Sequence, residues 1–309
     1  MFYIEYNIRL FFFFLFLRKY DAICAVDLDT LLAATVSTKI RRKKLVYDAH
    51  EYFTELPELV GRPTVKKIWA AIGRFCIPKC DMSYTVCGSL SSEFSKKYAV
   101  NFGVIRNLPL SQPILPHSKT EIEVERPCIV LYQGMLNDGR GLEEMLKAMQ
   151  DFDAQKVQLW IAGEGDLSEE LRNIAAKLDL GEKVKFLGFL KPAELKAITQ
   201  SADIGINLLK NKGLNYYYSL ANKFFDYVMA EKPSICMNFP EYSMHCSEFE
   251  TAVLISDLKK DSISEAICKL SSRDIFYQEI RENCQKAKLI WNWEKEEIKL
   301  ISMYHELFQ

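Results

Sequence analysis

A glycine-rich loop that carries one cation follows a predicted strand near the middle of the chain. The strand CIVLYQG ends at Gly134, and MLNDGRG leads from it into a predicted helix. Gly139 and Gly141 allow backbone N–H groups to approach a ligand, and Arg140 adds a planar cation at a helix N-terminus, which attracts anions. The pattern predicts a phosphate-binding loop, although not a Walker loop, because no GKS or GKT follows. An ordinary turn with an exposed Arg140 is the alternative.

Two later junctions between a strand and a helix also contain glycine. AGEGD places Gly163, Glu164 and Gly165 directly after a strand, and FLGF places Phe189 at the end of the next one. Phe189 could flank a nucleobase or belong to the core. Each junction alone is weak support for a ligand site, because glycine is common at such turns.

A lysine and an aspartate lie three residues apart within SLANKFFDYVMAEKPSI. A helix places Lys223 and Asp226 on neighbouring parts of its surface. They form either a solvated ion pair or a surface that faces a charged ligand, and the two residues alone leave both possibilities open.

A histidine among carboxylates ends a predicted strand of the first half. YDAHEYF places Asp48, His50 and Glu51 at the edge of a sheet where ligands usually bind. A histidine there can orient a substrate hydroxyl or stabilise a developing charge. A polar loop with a helix-capping aspartate is the alternative, and a metal site is disfavoured because no partner ligands are visible.

These residues lie in two successive series of alternating strands and helices, one from DAICAVD to FGVIRNLP and one from CIVLYQG to TAVLIS. The alternation predicts an α/β protein with two doubly wound, Rossmann-like domains. We expect the first domain at residues 1–115, the second at 127–285, and a C-terminal helix at 286–309 that packs back towards the first domain. Residues 110–127, rich in Pro, Ser, His and Glu, suit a linker.

The N-terminal segment is strongly apolar. Leu10–Leu17 (LFFFFLFL) covers only half of the roughly 20 residues that span a bilayer, and no clear signal-peptide cleavage site follows. We therefore expect a buried element of a soluble domain. No glycine precedes Gly61, so the first domain is expected to lack its opening strand and glycine loop, which would leave part of the apolar face uncovered.

The composition is that of an ordinary soluble protein. A net charge of −1 over 309 residues gives no indication of nucleic-acid binding. Nine cysteines without zinc-type pairs suggest reduced thiols in a cytosolic protein. The basic stretch Ile40–Lys44 (IRRKK) is interpreted as a solvated helix end in preference to a contact with anionic lipid headgroups.

The ordered motifs resemble glycosyltransferase family 4, whose retaining enzymes have the two-Rossmann B-type fold. That family carries a glycine-rich loop with a basic residue, then GxG, FxG and E-x7-E-A-x-x-x-G-x-P. This chain has YQGMLNDGRG, IAGEGD, VKFLGFL and NKFFDYVMAEKP in the same order, and VDLDTLLAA and VYDAHEYFTE resemble the family's first domain. The resemblance extends from about Tyr20 to the C-terminus and implies two domains facing across a cleft.

The resemblance also implies roles for individual residues. Asp226 takes the place of a glutamate that holds the ribose hydroxyls of the donor. Arg140 and Lys223 would balance the charge of the diphosphate or the sugar, and His50 matches a histidine near the transferred sugar. The residues implied to line the donor site are Gly134, Gly139, Gly141, Gly163, Glu164, Gly165, Phe189 and Asn222.

Three features depart from the family pattern. Tyr218 stands where the first glutamate of E-x7-E belongs, and Met135 replaces a second basic residue of the phosphate loop. The family's first strand and glycine loop are absent. The expectation is an N-terminally shortened member that binds its donor but transfers sugar poorly.

The implied activity is transfer of a hexosyl unit from a nucleoside-diphosphate sugar to a hydroxyl acceptor. The acceptor would be a glycan or lipid-linked glycan of surface polysaccharide or glycolipid biosynthesis. The resemblance implies no metal, no nucleic acid, and a cytoplasmic location with peripheral contact at the inner membrane face. The alternatives are a sugar-nucleotide 2-epimerase and a non-catalytic nucleotide-sugar-binding protein.

Overall fold

The computed structural model describes residues 2–59, 61–111 and 126–309. They cluster into two compact units. Unit 1 comprises Met1–Asn107, Lys212–Leu220 and Glu296–Gln309, and unit 2 comprises Leu108–Asn211 and Ala221–Lys295. Residues 212–220, inside the range expected for the second domain, thus cluster with unit 1. The expected linker falls largely on residues 112–125, which lie outside the described residues.

Strands and helices alternate along the described residues. The strands are β1 (Ala22–Val26), β2 (Lys44–Ala49), β3 (Met82–Thr85), β4 (Gly103–Val104), β5 (Cys128–Gln133), β6 (Val157–Ala162), β7 (Val184–Gly188), β8 (Ile204–Asn207), β9 (Ser234–Met237) and β10 (Ala252–Ile255). The α-helices are α1 (Phe2–Phe16), α2 (Asp27–Arg41), α3 (Pro63–Cys76), α4 (Gly88–Tyr98), α5 (Leu142–Ala148), α6 (Ser168–Lys177), α7 (Pro192–Ser201), α8 (Leu214–Tyr217), α9 (Asn222–Met229), α10 (Pro240–Glu248), α11 (Lys260–Ser271), α12 (Ile275–Ala287) and α13 (Trp293–Leu307).

Unit 1 is built on a four-stranded parallel sheet with the order β1-β2-β3-β4. The central strand β2 buries Leu45, Val46 and Tyr47 in succession, as expected of a parallel strand covered on both faces. The last part of α13 belongs to this unit. There the fully buried carboxylate of Glu296 accepts hydrogen bonds from the guanidinium of Arg106, with a shortest distance of 2.8 Å.

Unit 2 is built on a six-stranded parallel sheet with the order β10-β9-β8-β5-β6-β7. From β5 the chain first adds β6 and β7 on one side, and then adds β8, β9 and β10 on the other. The two directions of winding meet between β5 and β8, and ligands of doubly wound sheets bind beside the carboxyl ends of the strands at such a switch point. The prediction of an α/β protein with two parallel-sheet domains is confirmed.

The apolar N-terminal segment differs from the expectation of a buried element. It forms α1, which lies along α2. At one end of this contact the Asn7 amide donates to the Asp29 carbonyl at 2.8 Å, and at the other end the Leu15 carbonyl accepts a hydrogen bond from Arg41. All of α1 is described, and none of its residues is buried, although α2 lies along it and the Tyr3 ring packs edge-on against Trp69 of α3, with 5.2 Å between the ring centroids. Within the described residues, no helix has both the length and the apolar character needed to cross a membrane.

The basic stretch Ile40–Lys44 has structural contacts of its own. The guanidinium of Arg41 donates to the carbonyl groups of Leu15 and Leu17 and so ties the end of α2 to the end of α1. Lys43 and Lys44 pair with aspartates at 3.3 Å. The stretch is a helix end only in part, because α2 ends at Arg41 and Lys44 begins β2.

Candidate functional site

Three loops at the carboxyl ends of β5, β6 and β7 are hydrogen-bonded to one another. The Gly134 N–H donates to the Ala162 carbonyl at 2.9 Å, and the Gly163 N–H donates to the Gly188 carbonyl at 2.8 Å. A side chain at Gly163 would place its Cβ only 1.9 Å from the Gly134 oxygen. The same crowding applies at Gly165, where a Cβ would lie 2.6 Å from the amide oxygen of Asn137. Glycine here permits close packing between loops.

The loop after β5 is shaped by two further glycines. Gly139 has a positive φ of 84°, and its carbonyl accepts a hydrogen bond from the Lys210 N–H at 2.9 Å. Gly141 precedes α5 with a φ of 67°, and a Cβ there would lie 2.8 Å from the Cβ of Leu208. The loop is therefore held against the segment that follows β8, with the half-buried Arg140 between its glycines.

Helix α9 is fixed over the sheet by Tyr227. The phenol hydroxyl donates to the Leu131 carbonyl at 3.0 Å, and the ring packs where a side chain at Gly205 would stand, 2.3 Å from the ideal Cβ position. Tyr227 is fully buried. Lys223 lies one helical turn before Tyr227, and Asp226 lies one residue before it. This anchor therefore directs both side chains towards the carboxyl end of β5.

Lys223 lies against the phosphate-loop candidate. Its ammonium sits 3.7 Å from the ring centroid of Tyr132 and 3.2 Å from the position that a Cβ on Gly134 would occupy. Burial lowers the pKa of Lys223 well below its ordinary value, the cation of Arg140 lowers it further, and the Asp226 carboxylate opposes both effects. Lys223 is thus under the influence of both the Arg140 cation and the Asp226 carboxylate, so the three residues form one electrostatic cluster.

Asp226 is the end of a side-chain hydrogen-bond chain across three elements. Thr199 of α7 donates its hydroxyl to Gln133 Oε1 at 2.7 Å, and Gln133 Nε2 donates to Asp226 Oδ2 at 2.9 Å. Burial raises the pKa of Asp226 to about 6, although the bond from Gln133 and the charge of Lys223 both lower it. The carboxylate is therefore held in a fixed orientation beside the end of β5.

A cavity of about 510 Å³ opens beside this carboxylate. Its polar wall includes Gln133, Thr199 and Asp226, and its apolar wall includes Phe189 and Leu190. Phe189 is 79% exposed, so the alternative that it belongs to the core is wrong. The volume falls in the range of about 300–1,000 Å³ that is typical of small-molecule sites.

Two other residues implied to contact the donor have different surroundings. The Glu164 carboxylate accepts a 2.7 Å hydrogen bond from Arg172 of α6, and this bond holds the pKa of Glu164 below its ordinary value. Asn222 is exposed and is the first residue of α9. Neither residue belongs to the chain of hydrogen bonds around Asp226.

His50 belongs to unit 1 and has its own partners there. Its Nε2 lies 3.2 Å from the Asp48 carboxylate, and its backbone N–H donates to the Asp27 carboxylate at 2.9 Å. The hydrogen bond to Asp48 raises the pKa of His50, while partial burial lowers it. Asp27 adopts a positive φ of 55°, an uncommon conformation for a residue other than glycine, at the end of β1.

The two substituted positions of the family pattern do not join the cluster in unit 2. Tyr218 clusters with unit 1, where its carbonyl accepts a hydrogen bond from the Cys87 thiol at 3.2 Å. Met135 directs its side chain outwards and is 61% exposed. Its carbonyl accepts a 2.7 Å hydrogen bond from the Tyr132 hydroxyl. Neither side chain supplies a charge to the site.

Gln133 and Thr199, both only 4% exposed, were not predicted from the sequence as site residues. Their pattern carries one recognisable feature, because Gln133 is a polar residue that ends an otherwise apolar strand. Thr199 lies within an ordinary amphipathic helix and has no such feature. Among the described residues, no group of three or more His, Cys, Asp or Glu side chains is arranged to hold a metal ion.

Comparison with known proteins decides the family. The family model described as "Glycosyl transferases group 1" matches residues 116–287, which is more than half of the chain. The chain belongs to the group 1 glycosyl transferases. This result confirms the glycosyltransferase assignment that the motifs predicted, and membership of family 4 in particular is compatible with it.

Two curated relatives match parts of this glycosyl transferase. Alpha-monoglucosyldiacylglycerol synthase of Streptococcus pneumoniae is 22% identical over 183 residues, which are 55% of this chain and 41% of the relative. An uncharacterized glycosyltransferase of Methanocaldococcus jannaschii is 34% identical over 77 residues, covering 25% of this chain and 20% of the relative. The chain thus matches less than half of the length of either relative.

Solved structures resemble this glycosyl transferase over nearly its whole length. HepE of Anabaena, solved in complex with UDP, superposes with a TM-score of 0.76 at 15% identity and covers 98% of this chain and 82% of HepE. Sucrose-phosphate synthase of Thermosynechococcus elongatus superposes with a TM-score of 0.74 at 16% identity, covering 94% and 74%. These likenesses show the B-type glycosyltransferase fold.

Proposed function

We propose that this protein transfers a hexosyl unit from a nucleoside-diphosphate sugar to a hydroxyl acceptor. The observation that carries the proposal is the cluster of Arg140, Lys223 and Asp226 at the carboxyl end of β5. It combines two cations that suit a diphosphate with a carboxylate that suits ribose hydroxyls. The donor is proposed to bind to unit 2, within residues 127–285.

The roles of these residues follow from their surroundings. The cations of Arg140 and Lys223 would stabilise the negative charge that develops on the departing nucleoside diphosphate. Asp226, oriented by Gln133, would accept hydrogen bonds from the ribose. The base would lie in the adjacent cavity near the exposed ring of Phe189. Because the two cations meet the charge of the diphosphate, the proposal includes no metal.

His50 is proposed to act in unit 1 on the transferred sugar. Nε2 is held by the Asp48 carboxylate, which fixes the ring and favours the protonated form. Nδ1, whose long 3.4 Å contact with the Asn107 amide a ligand could replace, is the nitrogen proposed to hydrogen-bond a sugar hydroxyl. The geometry of unit 1 alone supports this role, and the resemblance of VYDAHEYFTE to the first domain of related enzymes adds to it.

A uridine-diphosphate sugar is the proposed donor, and a glycan or glycolipid is the proposed acceptor. HepE of Anabaena has been solved with UDP and with UDP-glucose, which supports the first part. The name of the S. pneumoniae relative, alpha-monoglucosyldiacylglycerol synthase, supports a lipid acceptor in the second. A glycolipid acceptor would require the protein to work at a membrane surface, and we propose the cytoplasmic side.

Product analysis with labelled donor tests the proposal. The full chain is incubated with UDP-glucose labelled in the sugar, with diacylglycerol or an oligosaccharide as acceptor. The proposal predicts labelled glycoside, and it predicts that Asp226→Ala and Arg140→Ala abolish this product. A sugar nucleotide with inverted C2 would support the epimerase instead. Donor binding without either product would support the non-catalytic nucleotide-sugar-binding protein instead.

A further inference from the structure

A lysine that follows β8 is paired with two carboxylates in the first turn of α5, directly after the phosphate loop (residues 135–141). The ammonium of Lys210 lies 2.5 Å from the Glu143 carboxylate and 3.0 Å from the Glu144 carboxylate. Lys210 and Glu143 are 67 positions apart in the chain, so they meet because β8 and β5 are neighbours in the sheet. The proposed function gives none of these three residues a role.

The backbone around the same lysine fixes the phosphate loop. The Lys210 N–H donates to the Gly139 carbonyl at 2.9 Å. Two residues earlier, the carbonyl oxygen of Leu208 lies 2.9 Å from the position that a Cβ on Gly141 would occupy. Arg140 lies between these two glycines. Lys210 therefore contacts the loop through its backbone and the helix that follows the loop through its side chain.

The two carboxylates lie close in the chain to the cation of the loop. Glu143 and Glu144 come three and four residues after Arg140. Each carboxylate side chain is only 23% exposed, so water and salt screen its charge less than that of a side chain on an open surface. One oxygen of Glu144 is buried and has no hydrogen-bond partner among the described residues. Without a counter-charge, this pair would weaken the attraction of the loop for an anion.

Lys210 supplies that counter-charge in its protonated form. Partial burial lowers the pKa of its ammonium, but the hydrogen bonds to Glu143 and Glu144 and their negative charges raise it, and the net shift is upwards. Lys210 is therefore a cation at neutral pH. Together with Arg140 it balances the two carboxylates, and removal of Lys210 would leave one carboxylate in excess beside the loop.

We propose that Lys210 is a positioning residue for the donor, which cancels the charge of Glu143 and Glu144 and fixes the loop around Arg140. In this role Lys210 acts through Arg140 and the loop, and not through a contact of its own with the phosphates. The inference rests on the proposed binding of a nucleoside diphosphate to unit 2. It adds the reason why a loop that is followed by two carboxylates can bind an anion.

Calorimetric titration of the full chain with UDP and with uridine tests the proposal. Lys210→Met removes the charge and keeps a long side chain, so it should weaken UDP binding about tenfold with little change for uridine. Lys210→Arg keeps the charge and should bind UDP within about threefold of the unchanged protein. In about 1 M salt, where the Debye length is about 3 Å, the difference between Lys210→Met and the unchanged protein should shrink.

Removal of the carboxylates separates charge compensation from a direct contact with phosphate. Glu143→Gln with Glu144→Gln, added to Lys210→Met, should restore the UDP affinity of the unchanged protein or exceed it, because the charges that oppose Arg140 are gone. With Lys210 intact, the two glutamine substitutions should bind UDP at least as tightly as the unchanged protein. This variant keeps the proposal testable if Lys210→Met does not fold, which thermal melting shows.

Lys177→Met is the matched control. It removes an exposed cation from the last turn of α6, away from the carboxyl ends of the strands, and should bind UDP like the unchanged protein.

Four results would overturn the proposal. The first is equal UDP affinity of Lys210→Met and the unchanged protein, and the second is an equal loss of affinity for UDP and uridine. The third is a loss that the glutamine substitutions do not restore, because Lys210 would then be a direct phosphate ligand or a purely structural residue. The fourth is weaker UDP binding when the glutamine substitutions are made with Lys210 intact. Failure of the unchanged protein to bind any common nucleoside diphosphate would instead reject the proposed function, and this inference with it.

Discussion

Asp226 should reduce the stability of the ligand-free protein at neutral pH while it serves nucleotide binding. Burial raises its pKa from the ordinary 3.8 to about 6. The folded state therefore holds a proton more tightly than the unfolded state between about pH 4 and pH 6. The free energy of unfolding must fall as the pH rises through this range, because the unfolded chain binds fewer protons there.

The magnitude follows from the rise of about two pH units. Each unit corresponds to about 1.4 kcal/mol, which sets a ceiling of about 2.7 kcal/mol, and water in the adjacent cavity should reduce the effect to about 1–2 kcal/mol. Asp226→Asn cannot ionise and should remove this loss. We expect the variant to melt roughly 2–8 °C higher than the unchanged protein at pH 8. At pH 4 the difference should disappear.

Thermal unfolding from pH 4 to pH 8, followed by circular dichroism, measures this effect, and UDP titration of the same samples measures binding. Asp261→Asn, at an exposed aspartate of α11, is the matched control and should change neither quantity appreciably. The variant Asp226→Asn should bind UDP at least about tenfold more weakly, because a charge-assisted acceptor is lost. The reasoning would be refuted if Asp226→Asn made the protein less stable at pH 8 or left its affinity for UDP unchanged.

Three further predictions concern the same unit. The pKa of Lys223 is lowered in the free protein, and a bound anion favours its charged form, so Lys223 should take up a proton when UDP binds above neutral pH. Calorimetry in buffers of different ionisation enthalpy should detect the uptake, and Lys223→Met should abolish it. Gln133→Leu removes a bond that lowers the pKa of Asp226, so the loss of UDP affinity on acidification should begin at a higher pH than in the unchanged protein, with no such change for Gln158→Leu. Gly163→Ala should cost about 3 kcal/mol or more in chemical denaturation, since its Cβ would lie 1.9 Å from the Gly134 oxygen, whereas Gly181→Ala, with nothing within 4 Å, should cost about 1 kcal/mol.

The sequence predicts the strands of both sheets well, because apolar runs such as CIVLYQ alternate with amphipathic helices and end at glycine. It also predicts that Lys223 and Asp226 share a helix surface. It does not reveal the link from Thr199 to Asp226 through Gln133, since this chain depends on how α7 and α9 pack on β5. The residues concerned are 66 and 93 positions apart.

The exposure of the apolar N-terminal segment could also not be predicted from the sequence. An apolar composition indicates that a segment avoids water, but burial also requires other elements to cover all of its sides. α1 has α2 along one side, where Arg41 holds its end, and the outer side that carries Phe12 and Phe16 stays exposed. The prediction of a buried element was wrong for this reason.

The central claim is that a nucleoside diphosphate binds to unit 2 through Arg140. Calorimetric titration of the full chain and of Arg140→Ala with UDP and with uridine tests it most directly. Losing a charge-assisted hydrogen bond costs about 1.5–3 kcal/mol, so the variant should bind UDP roughly ten- to hundredfold more weakly and uridine equally well. An equal loss of affinity for UDP and uridine would show that Arg140 is structural. No binding of uridine, guanosine, adenosine or thymidine diphosphate by the unchanged protein would contradict the claim itself.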